Sequence, residues 1–203
     1  MKKKALNIIF FMFITLFSFG QKQEKDTCKP DEIKKDKITN EFVEIWTEKL
    51  ASSSSFKSAS NGKADFLYYL SFYKTSNGNY IVIRLSQTSP YMKEFFGEDI
   101  KFSKEDKIIF GWAGMKPLEL NIGEVQNSRR VNEASKQVVN TYGLIISISE
   151  NDSALIKDCF TKSLMTGMRI NMKSGNVLEE EIKDKTNLKI NKKAKCFFDA
   201  ISE

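Results

Sequence analysis

The stretch from Asp65 to Gln87 constrains this chain more than any other, because two apolar-rich runs flank the dipeptide Asn77-Gly78. Asn-Gly is the favoured filling of a two-residue type I′ turn, whose central positions both take positive φ. With Asn77 and Gly78 in those positions, Tyr73 faces Val82, Phe72 faces Ile83 and Leu70 faces Leu85. One face of the expected hairpin then carries Tyr68, Leu70, Phe72, Ile81, Ile83 and Leu85, enough apolar surface to seed a core. The other face carries Tyr69, Ser71, Tyr73, Tyr80, Val82 and Arg84, aromatic but mixed with polar groups. A lone hairpin is marginal in water, so the remaining chain must cover it.

The rest of the sequence supplies further short strands. Ile38 to Leu50 fits both a helical stripe and an alternation, and its β-branched residues Ile38, Thr39, Val43, Ile45 and Thr47 favour a strand. A serine-rich loop from Ser52 follows. Short strands are expected at Asp99–Ser103, Lys107–Trp112, Lys116–Ile122 and Tyr142–Ser149, with Asn121–Asn140 read as a long polar connection or flap. Asn151 or Asp152 is placed to cap a short helix running to Phe160, with Leu155, Ile156, Cys159 and Phe160 on its stripe. Ser174-Gly175-Asn176 reads as the turn of a second hairpin between Thr166–Lys173 and Val177–Ile182. Asn191 to Ile201 is expected to close the chain as an amphipathic helix. The predicted fold is therefore mainly β, an antiparallel sandwich or flattened barrel with two short helices, one after residue 151 and one at the C-terminus.

Residues 1–20 read as a secretory signal peptide: Lys2, Lys3 and Lys4 lead an apolar run from Ala5 to Phe19. Ser18 and Gly20 place the expected cleavage before Gln21, giving a secreted or periplasmic protein with no transmembrane segment after processing. Residues 21–37 form a polar arm, and 38–203 a single β-rich domain. Cleavage removes three lysines and no acid, leaving 29 basic against 26 acidic residues, or +3. That modest surplus does not call for a nucleic-acid partner.

This organisation resembles that of single-domain exported β-rich proteins of Gram-negative bacteria. The likeness lies in the leader, the polar-to-β segment Asp36–Leu50 and the strand–helix–strand unit Leu144–Asn171. The resemblance implies a β-rich fold and no particular activity.

The chain contains no histidine, which removes serine triads, cysteine–histidine pairs and histidine metal sites. Its three cysteines have no close spacing, so neither a metal nor a cofactor is expected. Ser54-Ser55-Phe56-Lys57 and Ser60-Asn61-Gly62-Lys63 match S-x-x-K but sit in a serine-rich loop without companion motifs. Glu98-Asp99, Glu105-Asp106 and Glu179-Glu180-Glu181 offer paired acids for a hydrolase, yet each lies among lysines or in a charged turn. The lysines between Lys183 and Lys195 read as a solvated face. What remains is the second face of the hairpin: Tyr69, Tyr73, Tyr80 and Arg84 as an aromatic platform for a glycan or a protein of the cell envelope. The expected function is accordingly a non-catalytic binding or interaction module, with a carboxylate- or Ser/Lys-dependent hydrolase as the alternative.

Export makes disulfides permissible. Cys159 lies within the stripe of its helix and reads as a small buried hydrophobe. Cys196 falls nearly opposite the stripe of Ala194, Phe197, Phe198 and Ile201, and Cys28 sits in the arm with no core to join. Helical phase therefore pairs Cys28 with Cys196 and leaves Cys159 free.

Overall fold

The computed structural model describes residues 28–35, 41–51, 55–57, 63–90, 101–132, 134 and 137–202. The expected leader, residues 21–27 of the arm, Ile38 and Thr39, and Glu98-Asp99 lie outside these. Two antiparallel sheets and two helices make up the described body, as the strand pattern predicts. The larger sheet joins β1 (Glu32–Lys35), β2 (Phe42–Ala51), β4 (Lys63–Thr75), β5 (Gly78–Pro90), β9 (Gln137–Ser147) and β8 (Glu124–Asn132) in that order. A short β3 (Ser55–Lys57) pairs with the start of β4. The smaller sheet is ordered β11 (Val177–Glu181), β10 (Met165–Asn171), β6 (Lys107–Trp112) and β7 (Leu118–Asn121). Helix α1 (Glu150–Lys162) precedes β10, and α2 (Asp184–Ala200) ends the fold.

The central hairpin buries the face the alternation assigns to the core: Tyr68, Leu70, Phe72, Ile81, Ile83 and Leu85 are all at most 1 % exposed. Its register differs from expectation by two residues. Phe72 faces Ile81 and Tyr73 faces Tyr80, so the loop is Ser76-Asn77 and Gly78 opens β5 opposite Thr75. The Thr75 hydroxyl closes this turn by accepting the Asn77 N–H (3.1 Å) and donating to the Gly78 carbonyl (2.9 Å). Gly78 supplies the positive φ, +145°, from the strand side of the loop. A slip of two leaves every side chain on its face, which is why the core assignment survives.

Phe72 sits at the centre of an aromatic cluster that joins every layer. Its ring stacks on Phe197 of α2 at 5.4 Å and meets Phe160 of α1 edge-on at 5.3 Å. Phe160 in turn touches Phe110 (5.2 Å) and Trp112 (4.9 Å) of the smaller sheet. These edge and offset geometries suit the ring quadrupoles.

Several local expectations are corrected. Residues 101–103 carry no strand: the Asp106 carboxylate instead folds the loop, accepting from Ser103 N, Ser103 Oγ and Lys173 N at 2.8–2.9 Å. The supposed flap contains β8 and the start of β9; β8 is an edge strand whose side chains from Glu124 to Val131 are exposed apart from half-buried Val125, so no apolar alternation marks it. Ser149, not Asn151 or Asp152, caps α1 by accepting the Asp152 N–H, and Leu155 is exposed (53 %) while Ile156, Cys159 and Phe160 are buried. Helix α2 begins seven residues before its expected start.

The arm is tied to the body by three devices. Strand β1 pairs with β2. Asp31 accepts the Thr47 N–H (2.7 Å) and an ion pair from Lys193. Cys28 and Cys196 stand at disulfide distance, with Cα atoms 4.9 Å apart, as helical phase anticipates. Lys193 and Cys196 lie three residues apart on α2, so one helix face holds the arm twice. Cys196 is buried there rather than exposed, and Cys159 is free and buried. Among the described residues no helix is long and apolar enough to cross a membrane.

Candidate functional site

Strand register lays out the outer face of the larger sheet as rows. One row runs Lys49, Tyr69, Arg84, Gly143, Gln126 across β2, β4, β5, β9 and β8. The next runs Thr47, Ser71, Val82, Ile145, Glu124, and a third runs Ile45, Tyr73, Tyr80, Ser147. On the far side of the first row lie Leu67, Ser86, Thr141 and Ser128. The four residues expected to form one platform therefore share a face but split into two places. Tyr69 and Tyr73 are four residues apart on one strand, roughly 13 Å.

The two places differ in character. In the first row the Arg84 guanidinium carbon lies 4.4 Å from the centre of the Tyr69 ring, a cation–π contact that fixes an exposed charge. Lys49, on the opposite side of Tyr69, is also exposed. In the third row the half-buried Tyr80 turns back over the loop, its hydroxyl 3.5 Å from the Asn77 carbonyl, and its ring fills the space beside Gly78. Tyr80 thus closes the turn, and Ile45 and Ser71 nearby are buried. The exposed cations of these three rows lie in the Lys49–Arg84 row. Paired hydroxyls flank it on either side: Thr47 with Ser71 (3.0 Å) and Ser86 with Thr141 (3.3 Å).

Lys49 and Gly143 belong to this row and carry no mark of it in the sequence. Each joins only through pairing between strands far apart in the chain. Gly143 is a glycine inside a long central strand, which is the one local signal that hints at a functional position.

A concavity of about 1140 Å³ lies on the outer face of the smaller sheet. Its floor is Gly111 facing Gly167 across β6 and β10. A Cβ at Gly111 would stand 2.9 Å from Thr166 Oγ1, and one at Gly167 3.0 Å from the Glu180 carbonyl, so local crowding explains both glycines. Glu179, Glu180 and Glu181 line this groove, but Glu179 is held by Arg169 at 2.7 Å and is well exposed. Glu105 pairs with Lys173, and Asp106 is spent on its loop. In the C-terminal lysine run, Lys189 bridges to Glu48 and Lys193 to Asp31, so part of that run holds the fold together. Burial, and secondarily the Asp158 charge, raises the Cys159 pKa above its usual 9.0, which keeps that thiol protonated and inert. Ser54 and Ser60 lie outside the described residues, and the described residues hold no group of three acids or cysteines able to bind a metal.

The fold and this face define a mainly β protein with a cysteine pair joining arm to terminal helix and a cationic, aromatic sheet surface. Compared with protein families, curated proteins and solved structures, the chain matches none.

Proposed function

We propose that the protein is an exported, non-catalytic binding module of the cell envelope, and that it engages its partner through the outer face of the larger sheet. The observation that carries this reading is Arg84 fixed over Tyr69 beside an equally exposed Lys49. A fixed charge on an aromatic ring presents binding groups whose ordering cost is already met by the fold. Tyr73 and Tyr80 extend the same face toward the turn as a secondary contact. A disulfide joining the arm to α2 supports export, since such bonds persist in oxidising compartments. Three of the acids weighed for a hydrolase, Glu179, Glu105 and Asp106, are committed to arginine, lysine and loop backbone partners respectively.

The test uses the mature protein, expected to begin at Gln21, added to isolated bacterial envelopes. Wild-type protein should sediment with the envelope fraction, and a Tyr69→Ser, Arg84→Ser variant of unchanged thermal stability should not. Equal sedimentation of the two would remove this face from the reading. Release of new reducing ends or peptide termini from the envelope would identify an enzyme instead.

A further inference from the structure

We infer that the Lys49–Tyr69–Arg84 row, with the gap at Gly143, binds an acidic polysaccharide, a sugar polymer bearing carboxylates. The inference rests on the binding-module reading and names its ligand class.

Three observations carry it. First, the charge is uncompensated, unlike that of several other bases on this fold. Lys74, Lys107, Lys162, Arg169, Lys173, Lys189 and Lys193 all have carboxylate partners. Lys49 and Arg84 have none among the described residues, and the rows on either side of them are neutral along β2, β4, β5 and β9. The nearest acid in those rows, Glu124, is two strands from Arg84 and holds Gln126 Nε2 at 3.0 Å. Two cations bracketing one ring, on strands about 4.8 Å apart, set sites roughly 10 Å from each other for successive anions. Arg84 offers a planar fork already oriented by Tyr69, the geometry that grips a carboxylate in two hydrogen bonds.

Second, Gly143 leaves open space beside Arg84 that the fold does not require. A Cβ there would meet nothing nearer than Gln126 Cβ at 3.8 Å, an ordinary contact, and its φ is not in the left-handed region. Glycine weakens a strand interior, and here neither strain nor crowding demands it. The strand backbone is therefore open there to close approach by a ligand. Third, the half-buried hydroxyls of Thr47, Ser86 and Thr141 flank the row and suit sugar hydroxyls. Arg84 already covers one face of the Tyr69 ring, which removes that face from the base stacking that single-stranded nucleic acid uses.

Calorimetric titration of the mature, oxidised protein tests this with three probes: oligogalacturonate, the matched neutral galactan oligosaccharide, and a single-stranded DNA oligonucleotide of equal charge. Oligogalacturonate should bind, more weakly as salt rises, with the galactan silent. Arg84→Gln and Lys49→Gln should each weaken binding about tenfold. Gly143→Thr, which adds a strand-favouring side chain, should weaken it similarly while thermal stability holds or rises. Lys104→Gln, an exposed charge in the loop before β6 and away from this face, should leave it within about twofold, a shift worth under half a kcal/mol. Galactan binding equal to oligogalacturonate, with Arg84→Gln unaffected, would overturn the acidic ligand while leaving the binding face in place. Tighter binding of DNA, or full affinity in Gly143→Thr, would overturn the inference as well. Loss of the envelope sedimentation difference described above is a separate result and would remove the face itself.

Discussion

Replacing Asn187 with leucine tests how α2 is fastened to the smaller sheet. Asn187 is 3 % exposed, a polar side chain on the buried face of α2. Its Oδ1 accepts the Met165 N–H and its Nδ2 donates to the Met165 carbonyl, both at 3.0 Å. The side chain thus imitates a strand neighbour at the start of β10, where the register with β6 is irregular. Leucine keeps the branched shape and the number of heavy atoms, so no cavity opens and the loss is chiefly of hydrogen bonds. Two buried backbone groups left without partners cost about 1–3 kcal/mol each, so the variant should lose roughly 2–6 kcal/mol. For a chain of this size that lowers Tm by about 2–4 °C per kcal/mol. Urea unfolding followed by tryptophan fluorescence suits the measurement, because the buried Trp112 lies opposite Met165. The midpoint should fall with the m-value unchanged, and amide exchange at Met165 should accelerate. A variant within about 0.5 kcal/mol of wild type would show that water or backbone adjustment replaces the side chain, and the reasoning would fail.

Other substitutions probe the turn, the disulfide and the free thiol. Gly78→Val places a β-branched residue at φ +145° with its Cβ 3.2 Å from the Tyr80 hydroxyl, and should cost about 1–3 kcal/mol in urea unfolding; no change would refute the turn. Non-reducing peptide mapping should recover a Cys28–Cys196 peptide and one alkylatable thiol on unfolding, and a Cys159–Cys196 peptide would contradict the pairing. Chain entropy for a loop of 168 residues assigns that bond about 5 kcal/mol, but release of the arm caps the loss, so Cys28→Ser should lose less than this. Because the folded-state pKa of Cys159 is raised, the native protein holds its proton longer than the unfolded chain, and this contribution to stability is lost as pH climbs above about 9. Cys159→Ala should show a shallower alkaline decline; an identical slope would assign the decline to other groups.

The core was legible because its signal is local. Alternation along β4 and β5 assigns each side chain to a face without reference to any partner, and a two-residue slip does not disturb it. The turn register was not legible, because Thr75, a residue outside the Asn-Gly signal, brackets the loop with its hydroxyl. Strand β8 was missed for the same kind of reason. An edge strand with both faces wet keeps its pairing through backbone groups alone, so Arg129-Arg130 and their neighbours read as a polar loop. The first turns of α2 hid behind Asn187: a buried asparagine breaks the apolar stripe while serving the packing. The disulfide, by contrast, followed from helical phase, which is again a property of one segment.

The candidate site sits at the opposite limit. Tyr69 and Arg84 are fifteen residues apart, and the hairpin that joins them can be drawn from sequence, so their common face was readable. Lys49 reaches Tyr69 only through the β2–β4 register, and Gly143 reaches Arg84 only through β5–β9, a pairing across almost sixty residues. Neither residue carries its role in its neighbours along the chain. Sequence alone therefore favoured the aromatic residues, Tyr73 and Tyr80 included, over the charged row that the sheet assembles. Once the rows are laid out, the weight moves from ring area to fixed charge. A half-buried tyrosine folded over its own turn contributes little to a ligand, whereas an arginine held at 4.4 Å over a ring presents a fixed, exposed charge. That shift makes salt dependence, rather than loss of aromatic area, the measurement that separates the two descriptions of this face.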